Sequence, residues 1–152
     1  MKKLSLAKII LAVMILTNVS TFVWYDWMMY EGQNYPSPTT WLVISVTAII
    51  NLLTYTKTTQ DIIKNISAWI GGLACVITFV LLTVWNPVFE NLSRYDVVVL
   101  LLCLASVFIW IKYQATYANM IIQLGFVIGY VPTILGISNG TIIELPGPWI
   151  FW

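Results

Sequence analysis

Residues 66–85 read ISAWIGGLACVITFVLLTVW, a stretch of 20 positions without one charged side chain. As an α-helix, rising 1.5 Å per residue, such a stretch is about 30 Å long, which matches the hydrocarbon thickness of a bilayer. It shows none of the period-two alternation of a barrel strand. Lipid offers no partner to free backbone groups, so a helix is the remaining way to satisfy them. Four further segments have the same character: Ile9–Trp27, Thr39–Thr56, Tyr95–Ile111 and Ala118–Ile137. Turn formers separate them, namely Tyr35-Pro36-Ser37-Pro38, Asn86-Pro87 and Ser138-Asn139-Gly140 followed by Pro146-Gly147-Pro148. The expected fold class is an all-α, polytopic transmembrane helix bundle with five full spans.

Composition excludes the water-soluble alternatives. Of 152 residues, 60% are hydrophobic and 9% charged, against about 25% charged in a typical soluble domain. Seven basic and six acidic residues leave a net charge of +1, so there is no electrostatic footprint for nucleic acid. The partner implied is the lipid bilayer. Cys75 and Cys103 each lie inside an apolar run and read as small hydrophobes rather than a disulfide or a metal site. The start, Met1-Lys2-Lys3 followed by Ile9 to Leu16, has the look of a signal peptide. Thr21-Phe22-Val23-Trp24-Tyr25 is too bulky for a cleavage site, and an uncleaved first span is expected.

Charge placement orients the spans. Lys2, Lys3, Lys8, Lys57, Lys64 and Lys112 fall on one side and Arg94 alone on the other. The asymmetry predicts a cytoplasmic N-terminus in the cell membrane. Asp26, Glu31, Glu90, Asp96 and Glu144 fall opposite the lysines and Asp61 on the lysine side; the pairs Asp26/Glu31 and Glu90/Asp96 read as solvated loop charges. Trp24, Trp27, Trp41, Trp85 and Trp149, with Tyr95 and Tyr130, mark one interface. Trp69, Trp110, Tyr55, Tyr113 and Tyr117 mark the other, as anchors at headgroup level. Trp149-Ile150-Phe151-Trp152 opens a sixth span too short to cross, and the reading is that it is truncated, the chain being the N-terminal part of a longer product.

Enzyme chemistry has little to stand on. The chain has no histidine, the commonest general base and metal ligand, and neither a phosphate-binding glycine loop nor a nucleophile elbow. No cofactor is implied. No acid or base is expected near the middle of a span, which leaves amides and hydroxyls at depth: Asn18, Asn51, Asn119 and Gln123, with Thr17, Thr21, Ser45, Thr47, Thr54, Thr78 and Ser106. Such groups can hydrogen-bond an uncharged polar solute; they also hold membrane helices together. Asn119 and Gln123, four apart, share a helical face. In the same span Gly125 and Gly129 form a small-xxx-small spacing, and Pro132 removes an N–H and bends the helix, making the three candidate gating residues.

Two stretches echo each other. Pro36-Ser37-Pro38-Thr39-Thr40-Trp41 follows the first span, Pro146-Gly147-Pro148-Trp149 follows the fifth, and each of these spans carries an asparagine, Asn18 or Asn119. Residues 1–86 then form a three-helix unit, 87–114 a connector helix and 115–152 the start of a second, incomplete unit. This 3+1+3 arrangement resembles the SWEET and PQ-loop family of sugar and amino-acid carriers, with Pro132-Thr133 where that family has a proline–glutamine pair. Asn119 to Trp149 is also similar to bacterial multi-pass proteins related to those carriers. The resemblance implies passage of a small neutral solute, by alternating access between two units or between the protomers of a homo-oligomer. Asn18, Asn51, Asn119 and Gln123 would then contact the solute. The alternative is a scaffold or accessory subunit in which the amides only join helices.

Overall fold

The computed structural model describes residues 6–85 and 91–144. Its helices are α1 (Leu6–Tyr30), α2 (Pro38–Thr59), α3 (Ile62–Trp85), α4 (Arg94–Lys112), α5 (Ala115–Gly129) and α6 (Val131–Ser138). Five stretches are long and apolar enough to cross a membrane, with α5 and α6 together making the fifth, Ala115–Ser138. The chain is an all-α helical bundle and reads as an integral membrane protein. The sixth span expected from Trp149, the Asn86-Pro87 turn and the Pro146-Gly147-Pro148 turn lie outside the described residues.

Local chemistry sets the helix ends. Ser37 caps α2, its Oγ accepting from Thr40 N at 3.4 Å, with a proline in the first turn. Asp61 Oδ1 accepts from Ile63 N and Lys64 N where α3 begins. Ser93 and Asp96 form a reciprocal capping box on α4. After α1 and after α6 the chain reverses through the same device. Gly32 (φ 69°) and Gly140 (φ 70°) take the left-handed conformation, and the next residue's N–H reaches back five positions, Gln33 to Met28 O at 2.8 Å and Thr141 to Gly136 O at 2.9 Å.

Short connections make the helices run alternately up and down. The resulting bundle has a basic end, with Lys8, Lys57, Lys64 and Lys112, and a loop end, which holds Arg94, Glu31, Asp96 and Glu144. The central helix is α2. Over its most apolar window it is 56% buried, against 17% for α1, and it packs on α3, α4 and α5 while α1 lies outside against α3. Water is not there to drive apolar faces together, so membrane helices associate by close packing and side-chain hydrogen bonds. Each main interface here carries such a bond: Thr78 Oγ1 to Asp26 Oδ1 at 2.8 Å (α3–α1), Ser45 Oγ to Cys75 O at 2.9 Å (α2–α3), and Ser106 Oγ to Ala118 O at 2.9 Å (α4–α5). Thr47 Oγ1 lies 3.5 Å from Cys103 Sγ (α2–α4), and Asn119 Nδ2 donates to Asn51 Oδ1 at 2.8 Å (α5–α2).

Two expectations need correction. Asp26 and Asp96 are not solvated loop charges. α1 continues to Tyr30, one turn past its expected end, and its packing on α3 sets half-buried Asp26 against Thr78. Asp96 is only 2% exposed, folded into the α4 cap. Trp41 is not a lipid-facing anchor either. It is buried, its Nε1 donating to Tyr25 Oη at 3.2 Å, and Tyr25 in turn donates to Glu144 Oε1 at 3.0 Å.

Candidate functional site

The predicted amides divide three to one. Asn51 comes from α2, and Asn119 and Gln123 from one face of α5. Asn51 Oδ1 is the shared acceptor, taking Asn119 Nδ2 at 2.8 Å and Gln123 Nε2 at 2.9 Å. Asn51 stands eight residues from the end of α2, and Gln123 eight from the start of α5, so the cluster sits about 12 Å inside the bundle from the basic end. Asn18 is elsewhere. On α1 its Nδ2 donates to Met14 O of its own helix at 2.9 Å, with no link to the other three.

Beside the cluster a cavity of about 260 Å³ opens between α2, α3 and α5, lined by Asn51 and Gln123. The space is there because small residues face it: Ala48 on α2, and Ala68, Gly71, Gly72 and Cys75 on α3. A Cβ built on Gly71 would meet nothing within 4 Å, whereas on Gly72 it would touch Leu52 and the Ala48 carbonyl. Gly71 therefore leaves room, and Gly72 lets α2 and α3 approach. Toward the loop end Phe126 and Tyr130 form the wall. They pack against a layer of Phe22, Tyr25, Trp41, Ile44 and Leu82 that fills the bundle. Among the described residues, no hydrogen bond engages Asn51 Nδ2, Asn119 Oδ1 or Gln123 Oε1. The cavity thus presents both donor and acceptor capacity and no charge. Its volume lies near the lower limit of small-molecule pockets, about 300 Å³.

The candidate gating residues occupy different places. Gly125 and Gly129 face α4, where an added Cβ would meet Val99 at 3.8 Å in each case. The helix break falls at Tyr130, two residues before Pro132, which stands in the first turn of α6. Proline supplies no N–H for the carbonyl four residues back, so α5 ends and a short α6 resumes.

Two features escaped the sequence reading. The Trp41–Tyr25–Glu144 chain joins residues up to 119 positions apart, and nothing local announces it. Ser93 and Asp96 had a readable sign, the Ser-x-x-acid spacing of a capping box. Comparison of the chain with protein-family models, curated proteins and solved structures returns no match.

Proposed function

We propose that this integral membrane protein lets a small uncharged polar solute, such as a sugar, cross the bilayer. The observation that carries the reading is the Asn51–Asn119–Gln123 cluster at membrane depth, of which Asn51 and Gln123 line a cavity. Amides at such depth are costly unless bonded, and here part of their capacity points to a space large enough for several waters or one small solute. Uncharged groups suit an uncharged guest, because an ion would need compensation that the cavity lacks. The packed aromatic layer shuts the loop end. The break at Tyr130 and Pro132 is the place where α5 and α6 can bend to open it, as broken helices do in carriers. The likeness to SWEET and PQ-loop carriers supports the same class of guest. The lysine bias supports a basic end in the cytoplasm and residence in the cell membrane.

Proteoliposome uptake tests it. Gln123 is exposed, so Gln123→Leu leaves the fold in place. Uptake of radiolabelled neutral sugars is expected in wild type and is expected to be lost in this variant and in Asn119→Leu. Wild-type liposomes no leakier than empty ones would overturn the proposal.

A second reading has an observation in its favour: the donors of Asn119 and Gln123 both go to Asn51, as they would in a scaffold whose amides join helices. Cysteines at 119 and 123, in a background without Cys75 and Cys103, separate the two. Labelling by a membrane-impermeant thiol reagent supports passage, and protection supports the scaffold.

A further inference from the structure

A second cavity, of about 240 Å³, lies at the loop end between the starts of α2 and α4 and the α6 turn. Its walls are half polar, with Thr40, Asn91, Tyr95 and Asn139 around Asp96 and the apolar part from Pro132, Leu135 and Ile142, and no lysine or arginine lines it. Asp96 is 2% exposed, yet only half of its carboxylate is engaged. Oδ2 accepts from Ser93 N at 2.9 Å and Ser93 Oγ at 2.7 Å. Oδ1 is equally buried and has no hydrogen-bond partner among the described residues. The neighbouring guanidinium does not supply one, since Arg94 lies over the Tyr95 ring, 5.4 Å from its centroid. A buried carboxylate oxygen without partner is strongly unfavourable unless a cation or a strong donor meets it.

We propose that this cavity binds a small primary ammonium compound. Its –NH₃⁺ donates to Asp96 Oδ1, and its other donors meet the hydroxyl and amide oxygens of Thr40, Asn91 and Asn139. Three observations select that chemistry. One carboxylate among neutral oxygens is not a multivalent metal site, and no group of three or more His, Cys, Asp or Glu occurs among the described residues. The volume equals about eight waters at ~30 Å³ each, too roomy for a bare monovalent ion. A single ring, Tyr95, lines the wall, so the aromatic cage that a quaternary ammonium prefers is missing there. The inference does not depend on the passage proposed above, because the amide cluster and this cavity share no residue.

The probe is ethanolamine, and its control is ethylene glycol, of equal length with a hydroxyl in place of the ammonium. Thermal unfolding of the full chain in lipid nanodiscs at pH 7, at matched ionic strength with sodium chloride, reads binding. Ethanolamine is expected to raise Tm saturably, with the glycol and sodium without effect. Asp96→Asn keeps an oxygen for the Ser93 cap and sets an NH₂ where Oδ1 stands, and is expected to weaken binding roughly tenfold or more. Asn91→Ala, outside the helices, is expected to weaken it several-fold at unchanged unliganded Tm, and decides the matter if Asp96→Asn does not fold. No response to ethanolamine, an equal response to glycol or sodium, or undiminished binding in a folded Asp96→Asn or Asn91→Ala variant would each overturn the assignment.

Discussion

Asn51 receives two hydrogen bonds on one oxygen, which makes the three amides unequal. Asn51→Leu removes the acceptor of both α5 donors, whereas Gln123→Leu removes one donor at an exposed position. Inter-helix bonds in membranes average about 0.6 kcal/mol and reach about 1.7. Asn51→Leu is therefore expected to destabilise the bundle by about 1–2 kcal/mol, and Gln123→Leu by about half a kcal/mol. The double variant falls short of the sum because the bonds share an atom. Unfolding in mixed micelles with increasing denaturing detergent measures all three. Part of this was legible beforehand: the spacing of Asn119 and Gln123 placed them on one face. The third partner was not, because Asn18 and Asn51 are alike in sequence, and only packing decides which helix reaches α5. As α1 packs at the edge of the bundle against α3, Asn18 turns to its own backbone.

At the scale of the helix, the turn after α6 depends on Gly136 more than on the glycines that spacing singled out. A Cβ there would stand 2.5 Å from Ile142 Cδ1, while at Gly125 and Gly129 it would meet Val99 at an ordinary 3.8 Å. Gly136→Ala is expected to lower stability by about 1–3 kcal/mol, in the range of overpacked cores. Gly125→Ala should be nearly neutral, and trimming Ile142 to Ala should recover much of the Gly136→Ala loss. Thermal unfolding of the four proteins checks it. The spans themselves were readable to within a few residues, because length and hydrophobicity are local properties. The break was readable from Pro132, although it falls at Tyr130, where the missing N–H is felt. What could not be read was the reach of α1, which stays helical through Met28, Met29 and Tyr30 beyond Trp27, and the packing on α3 that sets Asp26 against Thr78.

For the molecule as a whole, the loop end is held by pairings distant in sequence. Tyr35 N donates to Ile143 O at 2.9 Å, and Tyr25 reaches Glu144 at 3.0 Å, so the segment after α6 is fastened over α1 and α2. Tyr25→Phe removes the donor to Glu144 and the acceptor of Trp41 together. It is expected to lower stability by about 1–3 kcal/mol and, on the proposed function, to favour opening at that end. A faster exchange of the Tyr35 amide in nanodiscs would register the loosening, and unchanged protection would show that the clamp lies elsewhere.

The position of α1 also bears on how the protein is made. Its chief neighbour is α3 rather than α2, so the first helix leaves the translocon well before the surface it will dock on has been synthesised. During that interval it lacks its docking partner. Asn18 bonded to Met14 O and Thr21 bonded to Thr17 O suit a helix in that position, since both side chains are already satisfied by the turn beneath them, while Asp26 meets its donor only with Thr78. Biogenesis can thus proceed in two stages, insertion of α1 and its docking when α3 arrives.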